Sequence, residues 1–191
     1  MIKLALLASG SGSNVEAIAA HFRGNPQVKV YKILTNNANA GVLERAKRLQ
    51  IPSQVFSPEA ENETVLRALL ADGVTHVVLA GYLKKIPASW VAAFPDRIVN
   101  IHPALLPKFG GKGMYGHRVH QAVFEAGERE SGITVHKVNE AYDEGAIIAH
   151  FRVQLTEQDT PESIESKVRA LELAHFAPTL ERFFLENTPQ P

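Results

Sequence analysis

The sequence predicts an α/β fold: an open, mostly parallel, doubly wound sheet with helices on both faces and a late antiparallel strand. Short apolar runs alternate with amphipathic stretches along the first half of the 191 residues, a pattern typical of a parallel sheet covered on both faces. After residue 102 this alternation ends, and two apolar runs joined by a polar loop predict two late strands. No repeat, low-complexity tract or linker interrupts the chain, so residues 1–191 are expected to form one domain.

Each element follows from hydrophobic periodicity and from the residues at its ends. Strands are expected at Lys3–Ala8, Lys29–Thr35, Gln54–Phe56, His76–Ala80, Arg97–His102, Ile133–Val138 and Ala146–Gln154. Helices are expected at Val15–Phe22, Val42–Gln50, Glu63–Asp72, Ser89–Phe94 and Val119–Ala126. The last helix should begin at Thr160-Pro161 and run to about Phe184, with a break near Pro178 because proline has no N–H to donate. The tail from Asn187 is expected to fray.

Composition excludes several classes of function. Lys plus Arg equals Asp plus Glu at 20 each, so the chain lacks the basic excess typical of nucleic-acid binders. A local pocket for one phosphate group stays compatible with that balance. The absence of cysteine excludes disulfides, thiolate zinc sites and a cysteine nucleophile. The apolar run at the N-terminus is too short to span a membrane and lacks a signal-peptide pattern, so we expect a cytoplasmic protein without membrane partners.

A glycine-rich loop, Ser9-Gly10-Ser11-Gly12-Ser13-Asn14, follows the first strand and opens the first helix. Backbone N–H groups at such a helix start can bind an anion, and a tight turn with a polar cap explains the same residues equally well. A dinucleotide site is disfavoured because Val15 stands where Gly or Ala is needed and no acidic residue follows the second strand. If the loop binds a ligand, a single phosphate group is the better interpretation.

A second polar segment, Asn100-Ile101-His102-Pro103, ends the fifth strand, at the edge where open parallel sheets bind ligands. Asn100 and His102 are two residues apart, so on an extended strand they share a face, and histidine is the natural proton carrier near neutral pH. Asp143 lies downstream in a polar loop, where an orienting carboxylate and an ordinary turn residue are both open. His136 could equally be structural. His117 and His120 lack a third ligand nearby, so no metal site is expected.

In their order and spacing, these segments resemble the folate-dependent glycinamide ribonucleotide (phosphoribosylglycinamide) formyltransferase family over nearly the whole chain. The motifs that carry the resemblance are Ala8–Asn14, Leu79–Ile86, Asn100–Lys108, Gly132–His136 and Tyr142–Gly145. The resemblance implies a formyltransferase-type, Rossmann-like single domain. It also implies transfer of the formyl group of 10-formyltetrahydrofolate to the amine of phosphoribosylglycinamide in purine biosynthesis. The implied partners are these two small molecules, in a monomer or homodimer, with no metal and no nucleic acid.

The same resemblance assigns roles to particular residues. Asn100, His102 and Asp143 fall on the family's catalytic positions, and Gly12, Ser13 and Asn14 fall where the substrate phosphate is held. Glu172 falls where that substrate is contacted near its amine. The positions matching the folate pocket are Leu83, Lys84, Lys85, Ile86, Asn100, Asn139, Glu140, Ala141, Tyr142 and Asp143.

The implied chemistry suits these residue types. When the amine attacks the formyl carbon, negative charge develops on the former carbonyl oxygen, to which Asn100 and a protonated His102 can donate. Asp143 is expected to keep His102 charged and oriented. The glycine-rich loop at residues 110–116 is expected to close over the site.

Three features depart from the family pattern. The stretch Ser57–Glu63 is acidic where the family often has a basic residue for the folate tail. Lys84 replaces a common Arg, which keeps the charge and loses bidentate geometry. One extra residue lies between Glu172 and Pro178.

Three other functions are compatible with parts of the sequence. Methionyl-tRNA formyltransferase is disfavoured because it needs a further C-terminal domain, for which 191 residues leave no room. Formyltetrahydrofolate hydrolase shares the catalytic half but has an N-terminal regulatory domain, whereas the first strand here is expected at residue 3. A catalytically silent nucleotide-binding module is the alternative from another class, and the presence of all three catalytic residue types argues against it.

Overall fold

The computed structural model describes residues 1–186, so the expectation for the tail from Asn187 lies outside the described residues. The strands are β1 (Ile2–Leu7), β2 (Val28–Thr35), β3 (Ser53–Val55), β4 (His76–Leu79), β5 (Ile98–His102), β6 (Glu130–Lys137) and β7 (Ile147–Gln154). The helices are α1 (Ser13–His21), α2 (Val42–Leu49), α3 (Pro58–Ala71), α4 (Ala88–Ala93), α5 (His117–Glu125) and α6 (Pro161–Glu186).

The strands form one seven-stranded sheet in the order β3-β2-β1-β4-β5-β6-β7. The pairs β1–β2, β1–β4, β2–β3 and β4–β5 are parallel, and β6–β7 is antiparallel. The predicted mostly parallel sheet with a late antiparallel strand is therefore confirmed. By contact density the chain divides into two compact units, Met1–Asn100 and Ile101–Pro191.

The first unit is built around β1, whose Leu4, Leu6 and Leu7 are fully buried. Burial of successive residues, which point to opposite faces, requires cover on both faces of this part of the sheet. In the second unit α6 packs against α5, β6 and β7, and Phe176, Leu180 and Phe184 of α6 are buried. This unit therefore contains an apolar core of its own.

Helix α3 begins five residues before the predicted start at Glu63. Ser57 is extended at the cap position, Pro58 occupies the first turn, and the Ser57 N–H donates to Glu61 Oε2 at 2.6 Å. The negative charges of Glu59 and Glu61 in the first turn also interact favourably with the positive end of the helix dipole. The acidic stretch Ser57–Glu63 therefore contains the start of a helix.

The predicted break near Pro178 is wrong, because α6 continues through it to Glu186. An interior proline costs a helix roughly 3 kcal/mol. Phe176, Ala177 and Leu180 are buried beside it, and each large apolar side chain contributes about 1.5–3 kcal/mol on burial. Packing therefore outweighs the lost backbone hydrogen bond.

Candidate active site

The glycine loop between β1 and α1 forms a tight turn, and the first N–H groups of α1 have no side-chain cap. Gly12 is the cap residue of α1 at φ 76°, and no side chain caps that end by a hydrogen bond. A Cβ on Gly12 would lie 2.5 Å from the Val42 side chain, whereas one on Gly10 would meet nothing within 4 Å. Only Gly12 is thus required by the fold. Ser13 and Asn14, the other residues predicted to hold the phosphate, form the first turn of α1.

Ser9 ties this loop to the segment predicted to line the folate pocket. Its hydroxyl donates to Asn36 Oδ1 at 2.6 Å and accepts from the Leu83 N–H at 3.0 Å. The Ser9 N–H in turn donates to the Gly81 carbonyl at 3.0 Å. Two sets of candidate residues, the phosphate loop and the segment 83–86, are therefore held together within the first unit.

Within the segment 83–86, Ile86 is buried, while Leu83, Lys84 and Lys85 are exposed. Lys84 Nζ lies 3.3 Å from Glu59 Oε1. The pKa of Glu59 is below its usual value, mainly because of a backbone hydrogen bond to its carboxylate and next because of this contact with Lys84. The acidic stretch that replaces the expected basic tail contact thus supplies a partner for Lys84.

Asn100 and His102 both lie on β5, as predicted. Asn100 pairs in register with Leu79 of β4 and is half-buried, whereas His102 is buried at the end of the strand. A polar side chain buried at the carboxyl end of a parallel strand suits a functional role better than a packing role.

The second unit brings His102 and Asp143 together. His102 Nδ1 lies 3.6 Å from Asp143 Oδ2, and the side chain of Asp143 is only 13% exposed. On the other ring nitrogen, His102 Nε2–H donates to the Phe109 carbonyl at 2.8 Å, since a carbonyl oxygen can only accept. Both nitrogens of the buried ring therefore face oxygen atoms, since Nε2–H donates to Phe109 and Nδ1 faces the Asp143 carboxylate.

Opposing influences set the charge of His102. Burial lowers its pKa, the Asp143 carboxylate and the Phe109 carbonyl raise it, and His136 lowers it, with a net result below the ordinary value. Asp143 thus acts in the expected direction, but desolvation is the larger effect. The expectation that Asp143 keeps His102 charged and oriented therefore stays a prediction.

Asp143 is the centre of a larger cluster in the second unit. His136 Nε2 lies 3.6 Å from its Oδ1, and the Gly111 N–H donates to its Oδ2 at 2.9 Å. Burial opposes its ionisation, but His136, His102 and Gly111 together hold the pKa of Asp143 below its usual value. The carboxylate is therefore ionised at neutral pH and anchors the glycine-rich loop 110–116.

The chain between His102 and that loop is fixed by Thr134 of β6. The Thr134 hydroxyl donates to the Ala104 carbonyl at 2.6 Å and accepts from the Leu106 N–H at 3.0 Å. A Cβ on Gly110 would lie 2.5 Å from a Leu106 methyl and 3.3 Å from Asp143 Cβ. The loop can approach Asp143 closely because residue 110 is glycine.

The remaining candidate residues lie in the loop 139–143 and on α6. In the loop 139–143, the Ala141 N–H donates to Asn139 Oδ1 at 3.0 Å, Glu140 and Tyr142 are exposed, and Asp143 has φ 56°. Glu172 is half-buried on α6. Within residues 1–186, no group of three or more His, Asp or Glu side chains is arranged to hold a metal ion.

Comparisons with known proteins decide the family. The formyl transferase family model matches residues 2–180. Phosphoribosylglycinamide formyltransferase of Haemophilus influenzae is 37% identical over 98% of this chain and 89% of its own length. The crystal structure of glycinamide ribonucleotide transformylase 1 from Symbiobacterium toebii superposes with a TM-score of 0.90 at 33% identity, covering all of this chain and 91% of that one. The chain belongs to the phosphoribosylglycinamide formyltransferase family.

Coverage differs among members of this family. The chloroplastic phosphoribosylglycinamide formyltransferase of Arabidopsis thaliana is 46% identical over 87% of this chain, yet the chain spans only 60% of the length of that relative. None of the helices in the described part of the chain is long and apolar enough to cross a membrane.

Sequence reasoning missed some of the contacts that this family member makes around Asp143. The sequence leaves both a structural and a functional role open for His136 and does not indicate its contact with Asp143. The available signal was its spacing of two from Thr134 on β6, which gives both polar side chains the same face of the strand. Gly111 had no comparable signal, because its contact depends on the path of an irregular loop.

Proposed function

We propose that this chain transfers the formyl group of 10-formyltetrahydrofolate to the amine of phosphoribosylglycinamide, a step of de novo purine biosynthesis. The observation that carries the proposal is the pair of buried His102 and half-buried Asp143, with Nδ1 and Oδ2 3.6 Å apart, in a member of this formyltransferase family. A histidine with an ionised carboxylate on one nitrogen suits general acid–base catalysis near neutral pH.

In the proposed reaction, the neutral amine attacks the formyl carbon, and a tetrahedral intermediate forms with negative charge on the former carbonyl oxygen. Asn100 donates to that oxygen, and protonated His102 stabilises it and passes a proton to the leaving folate nitrogen. As the carbon–nitrogen bond to the folate breaks, the attacking nitrogen releases a proton that returns to His102 through solvent. The imidazolium is thereby restored, and the products are the formylated amine and tetrahydrofolate.

His102 adds one requirement to this scheme through its hydrogen bond within the protein. Its Nε2–H is donated to the Phe109 carbonyl, so a substrate atom must replace that acceptor before this proton can be transferred. Because burial holds the pKa of the ring below its usual value, substrate charge near the ring has to favour the protonated form. The developing oxyanion does so, since an opposite charge nearby raises the pKa of an imidazole.

Substrate binding is assigned to the flanking residues. Gly12, Ser13 and Asn14 hold the phosphate at the start of α1, and Glu172 contacts the substrate near its amine. The folate lies against Leu83–Ile86, Asn100 and the loop 139–143. The open cap of α1 supports the first assignment, since uncapped helix N–H groups favour an anion. The chain is further proposed to act as one cytoplasmic formyltransferase domain, as a monomer or homodimer.

A steady-state assay tests the proposal. The protein is mixed with 10-formyltetrahydrofolate, with and without phosphoribosylglycinamide, and the tetrahydrofolate product is followed. Product that forms only with the ribonucleotide supports transfer, whereas product without it indicates a hydrolase and binding without turnover indicates a silent module. His102→Ala should reduce turnover by about 10²-fold or more with unchanged circular dichroism; near wild-type turnover would refute the mechanism.

A further inference from the structure

Two successive carbonyl groups of the glycine loop are bound from the start of α2. The Val42 N–H donates to the Gly10 carbonyl at 3.1 Å. Arg45 Nε donates to the Ser11 carbonyl at 2.7 Å across 34 residues of sequence. The start of α2 therefore holds the backbone of this loop through backbone and side-chain hydrogen bonds.

The contact with Ser11 fixes the orientation of one peptide group. The peptide that joins Ser11 to Gly12 is trans and planar, so its C=O and its N–H point in opposite directions. Since the carbonyl is directed at Arg45, the Gly12 N–H is directed away from it. A glycine at φ 76° accepts many backbone conformations, so without that hydrogen bond the peptide is free to rotate and present its carbonyl oxygen, which repels an anion.

Arg45 also balances a charge on α1. Its guanidinium pairs with Glu16 in the first turn of α1, and Arg48 pairs with the other carboxylate oxygen of Glu16. An unpaired carboxylate so near the helix start would oppose a bound phosphate. Arg48 shares this ion pair with Arg45, but only Arg45 hydrogen-bonds to the loop.

We infer that Arg45 is a positioning residue for substrate phosphate: it holds the Ser11–Gly12 peptide so that the Gly12 N–H faces the anion. The inference rests on the proposed function in taking phosphoribosylglycinamide as the ligand of this loop. Arg45 acts through the backbone that it orients and need not touch the substrate.

Three variants test this role: Arg45→Gln, Arg45→Lys and Arg48→Gln. A hydrogen bond from a charged group contributes about 1.5–3 kcal/mol, and about 1.4 kcal/mol corresponds to a tenfold change. Arg45→Gln should therefore raise KM for phosphoribosylglycinamide about tenfold or more. The inhibition constant or Kd of inorganic phosphate should weaken by a similar factor. The kcat and KM for 10-formyltetrahydrofolate should stay within about twofold, because the phosphate contact is made equally in the ground and transition states.

Arg48→Gln is the matched control, since it weakens the Glu16 pair and leaves the Ser11 contact. Its KM for the ribonucleotide should change by less than about threefold. Equal effects of Arg45→Gln and Arg48→Gln would overturn the inference, as would an equal rise in KM for the folate. If Arg45→Gln does not fold, Arg45→Lys provides the test. A lysine ammonium cannot reproduce the guanidinium geometry that contacts both Ser11 and Glu16. An unchanged KM for phosphoribosylglycinamide in this variant would therefore contradict the inference.

Failure of the inference can be told apart from failure of the proposed function. If wild-type protein transfers no formyl group, the proposed function fails. The role of Arg45 is then tested by measuring the Kd of inorganic phosphate for wild type and for Arg45→Gln. Weaker binding by the variant then still supports the role of Arg45. Equal phosphate binding, or none by the wild type, contradicts it.

Discussion

His102 is a buried ring whose protonation depends on a balance between desolvation and two nearby acceptors. Burial lowers its pKa, whereas Asp143 and the Phe109 carbonyl raise it. A ring in this balance responds to small changes in charge around it, which suits a group that must gain and lose a proton in each turnover. Asp143 is the neighbour whose charge can be removed with the least change in shape.

Asp143→Asn should reduce kcat by about 10²-fold or more, because the ring loses the carboxylate that orients it. It should also shift the pH profile in a defined direction. Asp143 raises the pKa of His102, so its removal lowers that pKa further, and the protonated form becomes populated only at lower pH. The high-pH limb of kcat should therefore move to lower pH, with a matching shift of the His102 ring signals in NMR titration.

Asp159→Asn is a suitable control for that experiment. Asp159 is also a carboxylate of the second unit, and it pairs with Lys167 at 2.7 Å and accepts from Ser163. Its removal tests whether losing any structural carboxylate lowers activity. A profile for Asp143→Asn that matches wild type, or equal losses in the two variants, would contradict the assignment of Asp143.

At the scale of elements, the turn from β1 into α1 contains two glycines, Gly10 and Gly12, that differ in how well they would tolerate a side chain. Gly12→Ala combines a positive φ, which costs about 1–2 kcal/mol, with a Cβ only 2.5 Å from Val42. We expect it to lower the free energy of unfolding by about 2 kcal/mol or more. Gly10→Ala should change it by less than about 0.5 kcal/mol, since the new Cβ meets nothing within 4 Å. Urea denaturation measures both, and equal losses would refute the distinction.

Helix α6 gives a second test at this scale. Pro178→Ala restores a backbone donor in an exposed interior position and should raise the free energy of unfolding by about 1–3 kcal/mol. Pro161→Ala is the control, because proline in the first turn displaces no hydrogen bond. A lower denaturation midpoint for Pro178→Ala would indicate that the helix needs the proline for its packing.

Periodicity and end signals predicted the strands and helices found in residues 1–186, with errors where local signals compete. The strands of the first unit were placed within one residue at each end because their apolar runs have sharp polar borders. The start of α3 was missed although Ser57, Pro58 and Glu61 carry its capping signals, since its first turn is too polar to show periodicity. The continuation of α6 past Pro178 depends on tertiary packing, which a helix-breaking rule does not include.

For the molecule as a whole, the half-buried His76 predicts loss of stability in acid. Burial lowers the pKa of His76 to about 4, with a further contribution from the charge of Arg97. A histidine whose folded pKa is depressed contributes stability above its unfolded pKa of about 6.5, and that stability is lost as pH falls towards 4. His76→Gln should therefore lose less stability than wild type between pH 7 and pH 4.5. Parallel curves of unfolding free energy against pH would contradict this.

Much of the candidate site follows from order and spacing along the chain, and the rest depends on contacts between distant segments. Asn100 and His102 were found because they end one strand, and Asp143 was found by resemblance. Arg45 reaches Ser11 across 34 residues, and nothing local to either residue indicates the contact. The direction in which the pKa of His102 shifts also cannot be predicted from the sequence, because burial, its largest cause, is a property of the folded chain.

The central claim is that the formyl carbon moves from the folate to the ribonucleotide amine. The most direct test follows an isotopic label in that carbon, using 10-formyltetrahydrofolate labelled with ¹³C and phosphoribosylglycinamide as acceptor. We predict that the label appears as the N-formyl group of the ribonucleotide, in equal amount to the tetrahydrofolate formed. Label recovered as free formate, or retained on the folate, would contradict the account.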